Sequence, residues 1–173
     1  LAWEDVMHIC KTTQGIDGTY KNNTQTARQN IRCMTMFEGA FMYAAGNHIG
    51  IGYGSCGGMA VGKPISTLSE NAQANQLFGW GIAHEIGHNM DKLGKAEITN
   101  NIYSLMVQTY DGKQNTLPSR LEKSGKYARI FEKTAQQYAG ASNDVFVQLG
   151  MYWQLHLAYD GGDQPMKFYN DFS

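Results

Sequence analysis

The sequence predicts an α+β fold, with a β-containing N-terminal portion at about residues 1–65 and a helical C-terminal portion at about 66–160. Three observations carry this prediction. Short apolar and aromatic runs broken by glycines fill the first third, a 3.6-residue apolar period governs the remainder, and a His-Glu-x-x-His spacing lies near the boundary.

Taken in order, residues 31–37 and 41–45 hold apolar and aromatic residues in short runs separated by Gly39 and Gly46, as strands between turns would be. Residues 48–53 read as a further strand. Its glycines, Gly50 and Gly52, leave two readings open: an edge strand that pairs with an extended peptide, or a loosened strand leading into the loop Gly54-Ser55-Cys56-Gly57-Gly58. Beyond Pro64, residues 66–75 are polar, with Ser, Glu and Asn at turn and cap positions. From about residue 76, Leu77, Trp80, Ala83, Ile86 and Gly87 mark the core-facing stripe of a helix. Gly79 and Gly81 weaken its start and permit close packing.

Gly94 is a helix stop, and Ile98, Ile102, Leu105 and Met106 define a second amphipathic helix with Glu97 near its first turn. A polar connection at 111–119, with Pro118, leads to two more helices at about 124–138 and 143–159. A Gly161-Gly162 break and a short tail follow. There is no repeat and no low-complexity segment.

At 173 residues and 42% hydrophobic content, the chain can bury one core, so residues 1–173 form a single domain or the core fragment of one. It opens at Leu1 with neither an initiator Met nor a signal-peptide pattern, which favours an excised piece of a larger protein. No run of about 18 apolar residues is present, so no membrane-inserting helix is expected. Fourteen basic and fifteen acidic residues give a formal charge of -1, which argues against nucleic acid or an anionic membrane as partner. Cys10, Cys33 and Cys56 contain no C-x-x-C pair and cannot all be joined internally. His8 and Cys10 form an H-x-C with no matching second half, which reads as ordinary packing.

The chemistry lies in His84-Glu85-Ile86-Gly87-His88. Residues four apart on a helix share a face, so both imidazoles can reach one metal ion, while Glu85 falls to the side, where it can act on a water carried by that metal. A hydrolytic zinc site takes three protein ligands and keeps one place open. Glu97 supplies the third ligand, because the eight residues after His88 suffice for a helix exit, a turn at Gly94 and a return. The metzincin pattern fails, since Asp91 and Gly94 stand where it requires Gly and His. Asn101, four residues beyond Glu97, can accept a hydrogen bond from a ligand imidazole and fix its tautomer, and Asn100 is the alternative. With one Zn2+ per chain the chemistry is hydrolytic: Glu85 takes the proton of the attacking water and returns it to the leaving amine. Tyr110, Tyr152, His156 and Tyr159 are the candidates for steadying the oxyanion.

The segment from Gly79 to Asn89 and the following Glu97-Ile98-Thr99-Asn100-Asn101-Ile102-Tyr103-Ser104-Leu105 resemble the enhancin-like and mucin-directed zinc metallopeptidases, a gluzincin family. Residues 43–51 (YAAGNHIGI) and 152–157 (YWQLHL) support the likeness, which spans about residues 31–160. The short gap from the second His to a Glu followed by T-N-N is its most specific part. The resemblance implies a zincin-like fold with a mixed N-terminal sheet, an edge strand over the cleft and an active-site helix. It also implies a secreted or cell-surface protease module, flanked by carbohydrate-binding modules, that cuts O-glycosylated, mucin-type proteins or glycopeptides. By that likeness His84, His88 and Glu97 hold zinc, Glu85 is the base, Asn47, His48 and Gly50 belong to a substrate-facing edge strand, and Trp80 joins the surrounding wall.

Overall fold

The computed structural model describes residues 2–16, 29–46, 48–61, 65, 77–111, 117–136, 142–160 and 167–172. The first element is a helix, α1 (Ala2–Gln14), which corrects the β-rich reading of the N-terminal portion. Its logic is ordinary. Ala2, Val6, Ile9, Cys10 and Thr13 recur at helical spacing and are buried, while Glu4 and Asp5 in the first turn and Lys11 in the last complement the helix dipole. Trp3 Nε1 donates to the Met59 carbonyl at 2.9 Å, and Asp5 Oδ2 accepts from the Ile65 amide at 2.8 Å, tying α1 to the chain beyond the sheet.

Three strands follow: β1 (Asn30–Met34), β2 (Met42–Ala45) and β3 (His48–Gly52). The sheet is mixed, in the order β1-β3-β2, with β1 parallel and β2 antiparallel to β3. Hence β3 is central and paired on both sides, so the edge-strand reading of residues 48–53 is corrected. The physical reason lies in what fills the glycines. Ile49 and Ile51 point into the core, fully buried, whereas a Cβ on Gly50 would overlap the Tyr43 ring and one on Gly52 would crowd Met36 Cγ at 3.1 Å. The missing side chain of Gly50 makes room for an intramolecular aromatic ring, and the edges of the sheet fall to β1 and β2.

The expected loop after β3 is wound into α2 (Tyr53–Cys56) and a 3-10 turn (Gly57–Met59). Cys56 there is joined to Cys33 of β1 by a disulfide, and Cys10 is a free, buried thiol whose pKa is pushed up by that burial. The polar stretch at 66–75 lies outside the described residues.

A π-helical turn (Leu77–Gly81) leads into α3 (Ile82–Met90), which buries Ile82, Ala83, Ile86, Gly87 and Met90. The following helix, α4 (Asn101–Thr109), is the centre of the molecule: all nine of its residues are buried, and it packs against α1, α3 and α7. It begins four residues after Glu97, which stands in a turn rather than on the helix.

The remaining helices are α5 (Arg120–Lys123), α6 (Lys126–Ala135), α7 (Val145–Tyr159) and α8 (Lys167–Phe172). Ser119 and Glu122 form a capping box at α5, and Asp144 caps α7 by accepting from the Phe146 amide. Asp160 continues the chain from α7, bonding His156 Nδ1 at 2.7 Å with one oxygen and accepting the Phe168 amide with the other. That carboxylate fastens α8 onto α7, so the expected tail is instead a packed helix. No described helix is long and apolar enough to cross a membrane.

Candidate metal centre

One helix and one turn build the site. On α3, His84 and His88 stand a turn apart, with ring centroids separated by 4.7 Å and Nε2 atoms by 3.1 Å. From the turn before α4, Glu97 brings Oε2 to 3.4 Å from His84 Nε2 and Oε1 to 3.1 Å from His88 Nε2. These three are the described residues grouped closely enough to hold a metal ion. One ligand atom from each of the three lies within 4.8 Å of the others, and the 3.1 Å between the two Nε2 atoms is close to the separation of about 3.3 Å that bonds of 2.0–2.1 Å to a shared tetrahedral ion would give.

The protonation chemistry agrees with this geometry. Burial, with His84 beside it, pushes the His88 imidazole below its ordinary pKa despite the Glu97 carboxylate, so its ring stays neutral and keeps a lone pair. His84 Nδ1 lies 2.7 Å from Asn101 Oδ1, which places the proton on Nδ1 and directs the Nε2 lone pair at the common point. The same Asn101 amide donates through Nδ2 to the Glu97 carbonyl at 2.8 Å, so one side chain bridges both ligand-bearing segments. Asn100 also touches the rings: its Nδ2 lies 3.2 Å from His84 Nδ1 and 3.1 Å from His88 Nε2.

Glu85 shares a cleft of ≈ 670 Å³ with the three ligands. Glu85 is 8% exposed, and burial raises its pKa against the opposing influence of His84. The rest of the lining is Asn89, Gly46 and residues 39–44, so β2 forms one wall. Because Phe41 O accepts from the Gly52 amide, the antiparallel alternation leaves the peptide groups of Met42 and Ala44 facing away from β3.

The other expected site residues fall elsewhere. His48 and Gly50 lie on the outer face of β3, His48 Nε2 being 2.9 Å from the Tyr43 hydroxyl, and neither lines the cleft. Asn47 is outside the described residues. Trp80 is 8% exposed beneath the Arg120 guanidinium, 4.0 Å from its ring centroid, and is a packing residue away from the cleft wall. None of the four oxyanion candidates lines the cleft. His156 is buried against Asp160, the Tyr152 carbonyl accepts from Tyr169, Tyr159 stacks on Phe168, and Tyr110 ends α4.

Gly87, inside the motif and on the core-facing stripe that the spacing predicts, is the point where α3 meets the turn before α4. A Cβ there would stand 2.5 Å from the Asn100 carbonyl oxygen and 3.0 Å from the Tyr103 ring, so its absence lets α3 lie directly on the turn that carries Glu97. Gly87→Ala is expected to cost about 1–3 kcal/mol in denaturant unfolding, the usual range for overpacking. An unfolding curve that superimposes on the parent's would show that the contact relaxes freely.

The sequence pattern of the family Peptidase M60, enhancin and enhancin-like, matches residues 2–171. This chain belongs to that peptidase family. No curated protein matches it in sequence. The M60 domain is similar to a functionally unknown conserved protein of Bacillus anthracis str. Ames at 26% identity and TM-score 0.68, covering 98% of this chain and 33% of that one. It also shares its fold with the ZmpB metallopeptidase from Clostridium perfringens (23% identity, TM-score 0.67, 98% and 31% covered). A third neighbour is the M60 catalytic domain of Clostridium perfringens ZmpC in complex with the sialyl T antigen (23%, TM-score 0.59, 98% and 31%). The M60 domain thus spans about a third of the length of these solved chains.

Proposed function

We propose that this M60 domain is the catalytic core of a zinc-dependent endopeptidase that hydrolyses peptide bonds in O-glycosylated, mucin-type proteins. The observation that carries the reading is the convergence of His84 Nε2, His88 Nε2 and a Glu97 oxygen on one point, with the Glu85 carboxyl beside it in the same cleft. Two imidazoles and one carboxylate suit zinc in a site with an open position, and a zinc ion bound there would acidify a water and polarise a substrate carbonyl.

The chain's own residues do the rest. Glu85, held on α3 one residue after a ligand, receives the proton of the attacking water and delivers it to the departing amine. Burial supports this role, since a carboxylate with a raised pKa is the stronger base toward the proton of the attacking water. Asn101 keeps the His84 ring in one tautomer and one orientation. The outward peptide groups of Met42 and Ala44 on β2 offer an extended substrate main-chain hydrogen bonds along the cleft wall.

Secretion and glycan recognition belong to the same reading. The Cys33–Cys56 disulfide supports an oxidising compartment outside the cytosol. A neighbouring M60 catalytic domain has been solved with the sialyl T antigen, and that of ZmpB with CBM51 domains, which supports an O-glycoprotein substrate and flanking carbohydrate-binding modules. A general zinc peptidase with no glycan requirement is the nearest rival, and a noncatalytic glycoprotein-binding adhesin is the next. Cleavage of one O-glycoprotein is expected to fall at least about tenfold after enzymatic removal of its glycans, the effect of losing roughly 1.4 kcal/mol of recognition. Equal cutting of both forms would favour the general peptidase.

A further inference from the structure

Glu97 presents a physical problem. Its side chain is 64% exposed, so no packing holds its carboxylate, and its backbone adopts φ 65, a left-handed conformation that costs a residue with a Cβ roughly 1–2 kcal/mol. A ligand so placed must be positioned from its backbone. The turn that carries it is closed by Thr99, which is fully buried. Thr99 Oγ1 donates to Asp91 Oδ2 at 2.5 Å, with the Lys95 carbonyl a second acceptor at 3.0 Å, and it accepts from the Lys95 amide at 3.1 Å. Asp91 follows directly on α3, its own amide bonding the Gly87 carbonyl at 2.6 Å, and its Oδ1 accepts from the Leu93 amide at 2.9 Å. A single hydroxyl therefore ties the two ends of the Glu97 turn to the last turn of the helix that bears His84 and His88.

We propose that Thr99 and Asp91 form a clamp that presets Glu97 for metal binding, making Thr99 a positioning residue of the centre. The inference rests on the metal-site reading above and adds residues that touch neither metal nor substrate. Asn101 steadies the Glu97 carbonyl from one side, and the clamp fixes the loop from the other. Without the hydroxyl, Glu97 samples other backbone conformations, and each binding event must then restore the one that ligates.

The test is competition of the folded protein with a chromophoric chelator for Zn2+, read beside thermal unfolding of the metal-free form. Thr99→Val is expected to weaken zinc binding about 10- to 100-fold, the usual scale for residues that orient a ligand, whereas Thr99→Ser, which keeps the hydroxyl, stays within about threefold of the parent. Parent-like zinc affinity in Thr99→Val overturns the clamp, including where the metal-free variant merely melts at a lower temperature. If Thr99→Val does not fold, the partly exposed Asp91→Ala carries the same expectation and the same refutation. A parent protein that takes up no zinc defeats the metal-site reading itself. A parent that binds while both variants bind equally well defeats only the clamp.

Discussion

Replacing Glu85 by Ala is expected to abolish nearly all peptide-bond cleavage while leaving the zinc content of the protein unchanged. The carboxyl lies in the cleft with His84, His88 and Glu97 but is absent from the group whose ligand atoms converge, so its removal takes away a proton acceptor without removing a ligand. General acid-base catalysis contributes about 10²- to 10⁴-fold, and a residue that serves in both halves of the reaction is expected near the upper end of that range. The loss should appear in kcat, with KM little altered, because Glu85 acts on the reacting water rather than on the bound chain. Steady-state kinetics with a metal-replete variant measures it. Turnover equal to the parent's would remove Glu85 from the reaction and revive the adhesin reading.

The second large effect is expected from His88→Ala. It deletes one of three ligands, leaving His84 and Glu97 on separate segments with one edge of the ligand triangle. Removing residues that merely orient ligands already costs 10- to 100-fold in affinity, so losing a ligand outright should cost more than about 100-fold and strip the metal during ordinary dialysis. Metal analysis then finds far below one equivalent. His88 is only partly buried, at 25% side-chain exposure, so the variant is expected to fold and to differ from the parent mainly in metal content and activity. Retention of a full equivalent would mean that the ion binds elsewhere.

Local patterns with a strict period were legible in the sequence. The His-Glu-x-x-His spacing, the approach of Glu97 and the hydrogen bond that a ligand ring donates to Asn101 are all visible as distances along a helix or across a short turn, and the geometry brings those atoms together. The helical stripe through Trp80, Ala83, Ile86 and Gly87 is buried as its spacing implies. Contacts set by tertiary packing were not legible. Gly50 reads the same whether its open side meets a foreign peptide or the Tyr43 ring, and only the strand order distinguishes them.

The α1 helix is a different case, since its signal was present in the apolar spacing of Ala2, Val6, Ile9 and Cys10 and in the paired acids of its first turn. Of the aromatic and His candidates for oxyanion stabilisation, Tyr152, His156 and Tyr159 lie on α7 and Tyr110 at the end of α4, and none of them lines the cleft. His156 is committed to Asp160, which also receives the Phe168 amide and so holds the terminal helix. Thr99 stood out in the sequence only as part of the T-N-N after Glu97, and its pairing with Asp91 was not legible, because the two lie across a turn whose shape depends on Gly94 at φ 77 and Glu97 at φ 65.

X-ray absorption of the zinc-loaded protein tests the central claim most directly, because it reads the ligand set of the bound ion. The expected spectrum has one zinc per chain, nitrogen and oxygen neighbours at about 2.0–2.1 Å, outer-shell scattering from two imidazoles, and no sulfur at about 2.3 Å. A sulfur shell, a single imidazole, or a protein that takes up no zinc would contradict a centre made by His84, His88 and Glu97.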